Sequence, residues 1–129
     1  MSDNTFNVSA DSLETFVTQV FQKAGCSNSS ARDMAQCLVQ TNLWGIDSHG
    51  VLRVKKYLDR IRSGSMNGAP ELRTLKSDAG LEVLDADNGS GYVAGRAAMA
   101  RAIELAEQQN IAAVGIINSN HCGATSLYA

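Results

Sequence analysis

An α/β chain in its α+β form is the fold class this sequence predicts, with a helical amino-terminal segment over residues 1–70 and the start of a mixed α/β domain over residues 71–129. Three observations predict it. Apolar residues recur at spacings of three and four through most of the first half, the period of helices packed by one face. Past Gly64, turn residues break that pattern into short apolar runs. A long alanine-rich helix then leads into one more apolar, branched run, the helix-to-strand order of an α/β unit. With 44% apolar and 19% charged residues, the chain has the composition of a folded domain.

Each element follows in order. Over residues 9–23, Leu13, Phe16, Val17, Val20 and Phe21 share a helical face, and Gly25 supplies the stop. Ser30, with Asp33 three residues on, opens a second helix whose Met34, Ala35, Leu38, Val39 and Leu43 lie on one side and which ends near Gly45. After Ser48-His49-Gly50, a third amphipathic segment carries Val51, Val54, Tyr57, Leu58 and Ile61 and stops at Gly64. Residues 64–70 are turn-rich, and residues 72–75 and 81–84 read as two short strands around Asp78-Ala79-Gly80. The helix over residues 92–109 presents Val93, Ala97, Ala100, Ile103, Leu105 and Ala106 as its apolar face. By length and branching, the run 111–117 is a buried strand, and residues 118–123 form a loop. Another helix opens as the chain reaches Ala129 with no polar tail, so a longer parent protein is expected.

Charge and composition exclude several classes. A net charge of −2 with eleven scattered Lys and Arg offers no field for a polyanion, so nucleic acid is not an expected partner. The first twenty residues carry Asp3, Asp11 and Glu14 and lack a basic stretch leading into an apolar one, so no secretory leader is expected. No apolar run approaches the ~20 residues of a membrane span. A soluble cytoplasmic protein without a membrane partner is the expectation. Cys26, Cys37 and Cys122 are odd in number and lack C-x-x-C spacing, so they read as free thiols rather than disulfides or metal ligands.

The two histidines, His49 and His121, both fall in loops at the ends of predicted elements. His49 lies in Gly45-Ile46-Asp47-Ser48-His49-Gly50, where glycines on both sides would let the backbone turn and keep bulk away from the imidazole. An imidazole exchanges a proton near neutral pH, as a general acid/base must. Residue type alone fits a loop histidine that caps a helix better than a functional one. Arg53, four residues on, brings a guanidinium fork that binds a carboxylate through two parallel hydrogen bonds; alone, it is also an ordinary solvated helix residue. Together, an acid/base beside a carboxylate clamp is what a 2-oxo or 2-hydroxy acid requires.

Two other patterns point elsewhere and fail on detail. Asp47-Ser48-His49 holds the residue types of a hydrolase triad, but triad members meet from separate elements, and Gly45-x-x-Ser48-x-Gly50 misses the nucleophile-elbow spacing by one residue. Gly89-Ser90-Gly91-Tyr92-Val93-Ala94-Gly95 follows a strand and opens a helix, as a Rossmann fingerprint would. Its third glycine is displaced, however, Asp85 and Asp87 would repel a pyrophosphate, and Asn118 stands where a ribose-binding acid belongs, so these glycines read as turn and helix-start residues. The closing stretch Asn118-Ser119-Asn120-His121-Cys122-Gly123-Ala124-Thr125 offers backbone N–H groups to a phosphate or carboxamide oxygen, and fits a helix cap equally well.

Gly45-Ile46-Asp47-Ser48-His49-Gly50-Val51-x-Arg53, followed by Tyr57 and Gly64, is similar to the signature of the malate/L-lactate dehydrogenase type 2 family. Leu84-Asp85-Ala86-Asp87-Asn88-Gly89, the alanine-rich helix, and Ile111-Ala112-Ala113-Val114-Gly115 leading into Ser119-Asn120-His121-x-Gly123 resemble its later blocks in order and spacing, from about Val8 to Ala129. The resemblance implies an oxidoreductase using NAD or NADP on small 2-hydroxy or 2-oxo acids such as malate, lactate, sulfolactate and ureidoglycolate. It also implies a non-Rossmann nicotinamide-binding domain beginning in residues 71–129, and a homodimer. By position it implies His49 as proton donor to the substrate oxygen, Ser48 as its hydrogen-bonded partner and Arg53 as the carboxylate ligand. His121, Cys122, Gly123, Ala124 and Thr125 would lie along the cofactor; the family more often has an aromatic residue where Cys122 stands.

Family members are more than twice as long and carry a catalytic aspartate and most of the cofactor site further on, so this stretch alone is expected to be inactive. The expected chemistry is hydride transfer between C4 of the nicotinamide and C2 of the acid, with His49 moving the oxygen's proton and Arg53 fixing the carboxylate. The rival expectation is a non-catalytic α/β module that keeps the scaffold for packing or ligand sensing.

Overall fold

A computed structural model describes residues 6–128; the readings of Asp3 and of Ala129 lie outside the described residues. Helix α1 (Ala10–Lys23) starts where Ser9, in extended conformation, accepts from the Ser12 N–H, with Asp11 in the first turn against the positive helix end. Val17 and Phe21 are buried, whereas Phe16 is 63% exposed and lies off the packed stripe. Helix α2 (Asn28–Leu43) begins earlier than the Ser30 signal suggests. Its cap is Ser27, whose Oγ accepts from the Ser30 N–H, so Ser30 is the third helical residue and is buried. Met34, Ala35, Leu38 and Val39 are buried as the spacing requires, while Leu43 is exposed. The expected third helix opens instead as two 3-10 turns, Asp47–His49 and Val51–Arg53, before α3 (Val54–Arg62).

Strands β1 (Arg73–Asp78) and β2 (Leu81–Gly89) form the antiparallel hairpin expected around Ala79 and Gly80, both of which take positive φ, the requirement of a two-residue turn matched to strand twist. Helix α4 (Gly91–Gln109) crosses over from β2 to β3 (Ala113–Ser119), which pairs parallel with β2, giving the order β1-β2-β3. Ser90 caps α4 by accepting from the Tyr92 N–H, and Asn110, left-handed at φ +66°, ends it. Glu82, buried on β2, clips the sheet to α4: its carboxylate accepts from Arg101 at 2.7 and 3.0 Å and from Ser77 at 2.9 Å.

Two expectations are corrected here. The buried face of α4 is Tyr92, Ala94, Gly95, Ala98 and Leu105, not the Ile103 side; Ile103 is 56% exposed. β3, read as buried from its branched residues, is almost wholly exposed, because it forms one edge of the sheet and pairs only with β2 among the described residues.

The principal core lies between the helices, around Phe21, Met34, Leu38, Tyr57 and Met66, and Tyr92 of α4 joins it. The Tyr57 and Tyr92 rings meet edge to face, with centroids 5.8 Å apart. Cys26, Cys37 and Cys122 are free thiols, the first two buried. Among the described residues no helix is long and apolar enough to cross a membrane, and no group of three His, Cys, Asp or Glu could hold a metal ion.

Candidate active site

The loop that carries His49 is held by one side chain from α2. Asn42 donates to Asp47 Oδ1 at 2.5 Å and accepts from the Val51 N–H at 2.7 Å, so a single amide spans both 3-10 turns. Gly45, at φ +75°, makes the turn out of α2, as the sequence suggests. Gly50 has a different role from the one expected. Its φ is negative, and a Cβ there would collide with the Asn42 side chain, so it makes room for the anchor rather than for the imidazole.

This anchoring sets the histidine. His49 Nδ1 lies 2.9 Å from Ser48 Oγ, and His49 Nε2 lies 3.5 Å from Arg53 Nη2. Arg53 is itself aimed by donating from Nε to the Ser48 carbonyl at 2.7 Å. The imidazole is thus steadied on one nitrogen, and its other nitrogen shares an opening with a cation. Ser48, His49 and Arg53 are brought together as the spacing predicts. No hydrolase triad forms from Asp47-Ser48-His49: Asp47 is engaged by Asn42, and the group beside Nε2 is a guanidinium rather than a carboxylate.

The second histidine comes to the same place from 72 positions further along the chain: the His121 ring stacks on His49, with centroids 5.7 Å apart. Its loop is tied down on three sides. The Asn120 amide donates to Asn88 O, Asn88 Oδ1 and Gly89 O, while Arg60 of α3 donates to Asn120 Oδ1 at 3.1 Å. Tyr128 OH donates its one proton to Cys122 O at 2.6 Å, with Gly91 O beside it at 3.2 Å. His121 Nδ1 accepts from the Gly123 N–H at 3.2 Å and lies 2.9 Å from Tyr57 OH. Loss of hydration, followed by the positive charge of Arg53, His49, Lys56 and Arg60, pushes the His121 pKa down.

The glycine-rich stretch opening α4 serves packing within the chain. A Cβ on Gly91 would sit 2.5 Å from Asn120 O and 2.7 Å from Cys122 Cα, and one on Gly95 would sit 2.6 Å from the Tyr128 ring. The N-terminus of α4 is therefore covered by the chain's own loop, and a pyrophosphate does not fit there. Gly123 follows the same pattern: it has φ +71°, and its missing Cβ leaves space for Tyr92. The Gly123 N–H, expected to be free for a ligand, is spent on His121. Around the stacked histidines, His121, Cys122 and Thr125 are exposed, beside the small Ala124.

Sequence reasoning missed Asn42 and Tyr92 as members of this site, and placed Tyr57 in the signature and on a helix face without giving it a role.

Comparison with known proteins shows similarity along the whole chain. The profile of the family described as malate/L-lactate dehydrogenase matches residues 8–129. A malate dehydrogenase of Pyrococcus abyssi is 38% identical over 129 residues, covering 100% of this chain and 36% of that protein. A ureidoglycolate dehydrogenase (NAD(+)) of Escherichia coli strain K12 is 36% identical over 121 residues, covering 94% of this chain and 35% of that protein. The solved malate dehydrogenase of Pyrococcus horikoshii OT3 superposes with a TM-score of 0.94 at 37% identity, covering 99% of this chain and 37% of that one. The chain thus spans about a third of the length of the curated relatives it matches.

Proposed function

This chain belongs to the malate/L-lactate dehydrogenase family, and from that premise we propose that it supplies the acid/base and carboxylate-binding part of a dehydrogenase acting on small 2-hydroxy or 2-oxo acids. The observation that carries the reading is the cluster of His49, Ser48 and Arg53, with His49 Nε2 3.5 Å from the guanidinium. Arg53 binds the acid's carboxylate, and a fork fixed by the Ser48 carbonyl holds its angle as well as its position. His49 gives the proton to the C2 oxygen in reduction and takes it back in oxidation, with Ser48 Oγ accepting from Nδ1–H when the ring is charged.

NAD or NADP, when bound, supplies or accepts the hydride. His121, Cys122, Ala124 and Thr125 would border its nicotinamide end, and Gly123 would act through Tyr92 and His121 rather than by direct contact. A cytoplasmic homodimer completes the proposal, on the strength of the family likeness.

The test is turnover of malate, lactate, sulfolactate and ureidoglycolate by the whole protein with each nicotinamide. Oxidation of at least one acid, lost on His49→Ala, supports the reading. Absence of turnover across the panel overturns it.

A further inference from the structure

Lys56 stands on a side of α3 whose other members each reach one of the two histidine loops. Arg53, the N-terminal cap of the helix and three residues before Lys56, lies 3.5 Å from His49 Nε2. Tyr57, the next residue, brings its hydroxyl to 2.9 Å from His121 Nδ1. Arg60, four residues on, donates to Asn120 Oδ1 at 3.1 Å. Residues three and four apart on a helix stand side by side, with Cβ atoms ~5–6 Å apart. Arg53, Lys56 and Arg60 therefore form one cationic stripe beside the opening that holds both histidines, and the positive charge of all three is felt at His121. Lys56 is exposed in this stripe. Its neighbour Lys55, also exposed, turns to another side of the helix and pairs there with Asp59 at 2.7 Å.

With Arg53 on the carboxylate at the reacting end, a short diacid carries its second charge about as far away as the next cation on that side of the helix. We propose that Lys56 is a specificity-determining residue that binds this second anionic group, so that the acid taken here is doubly charged: a 2-hydroxy or 2-oxo acid with a carboxylate or sulfonate at its far end. The two cations differ in the way the two ends require. Arg53, its guanidinium aimed by the Ser48 carbonyl, holds the end at which C2 must be presented at a set angle. An ammonium on a flexible stem is a point charge that imposes no angle, which suits the end that does not react. Its attraction is the same before and during the chemical step, so Lys56 acts on binding and on the choice among acids rather than on the barrier. The proposal rests on the hydroxyacid reading above and adds to it which of those acids fits.

Steady-state kinetics of the whole protein on two doubly charged acids, malate and sulfolactate, and two singly charged ones, lactate and ureidoglycolate, test this. The wild type should prefer the first pair, and whichever of the two it prefers identifies the anion as carboxylate or sulfonate. Lys56→Gln, at an exposed position, should lower kcat/KM for the preferred acid about tenfold through KM, the strength of one hydrogen bond to a charged group, and should change it much less for the singly charged acids. Lys55→Gln removes the same charge one residue away and should leave the ratio between the pairs where it was. A wild-type preference for the singly charged acids overturns the proposal. So does a ratio unmoved by Lys56→Gln, or moved as far by Lys55→Gln, which would make it an effect of overall charge. A rise in KM for the nicotinamide in place of the acid also overturns it, by putting the cofactor's phosphates at Lys56. These outcomes remove this proposal alone, whereas turnover of none of the four acids removes the hydroxyacid reading and this proposal with it.

Discussion

At the scale of single residues, His49 and Arg53 should fail differently. His49→Ala removes the proton donor and leaves the carboxylate clamp, so kcat should fall by on the order of 10²–10⁴ while KM changes much less. Arg53→Lys keeps the charge but loses both the fork and the Nε bond to the Ser48 carbonyl, so KM should rise and kcat should fall with it as the acid loses its angle. Steady-state kinetics on both variants separates them; a near-normal kcat for His49→Ala would reduce His49 to a loop residue. These two residues were legible in the sequence because they carry chemistry in their side chains and lie four positions apart. Tyr57 was legible as a residue of the signature but its contacts were not, since it meets Tyr92 across 35 residues and His121 across 64. Periodicity announces a tyrosine as core and says nothing about where its hydroxyl points.

At the scale of elements, the loop between α2 and α3 is a lock between two positions. Asn42→Ala deletes two hydrogen bonds, one of them to a backbone N–H, and should cost about 1–3 kcal/mol with a larger proportional loss of activity as His49 loses its fixed position. Gly50→Ala alone should also be damaging, because the new methyl meets the Asn42 amide. The double variant should then be less damaged than the two losses summed, since each substitution removes part of the other's cause. Additive losses in urea unfolding would show that Gly50 serves something other than Asn42. The helices were readable because one-face packing leaves a period in the sequence. The face of α4 was misread because close approach chooses it: Gly95 and Ala98 are buried by size, against the larger Ile103. β3 carries the composition of an interior strand at the edge of a three-stranded sheet, and composition does not encode position in the sheet.

At the scale of the whole molecule, groups that prefer one ionisation state hold β2 to α4, β3 to β2 and the His121 loop to α3, so acid should unfold the protein in two steps of falling stability. The His121 pKa is lowered in the folded chain; below about 6.5, where an unfolded imidazole takes up a proton, the unfolded state binds more protons than the folded one, and stability falls as pH drops toward the folded pKa. Glu82 and Asp85 are also lowered, Glu82 by its bonds from Arg101 and Asp85 by the Asp87 N–H and the Asn118 amide that ties β3 to β2. Their stabilising contribution is complete above the ordinary carboxylate range and is lost as pH falls through their folded values, well below the histidine window. Urea midpoints measured across acid pH should therefore show an upper decline that His121→Asn abolishes, and a lower one that Arg101→Met weakens by removing the charge holding Glu82 ionised. Arg101→Met should also lower stability near neutral pH, because it leaves a buried carboxylate unpaired. If His121→Asn leaves the upper decline intact, the fold does not hold the His121 pKa down.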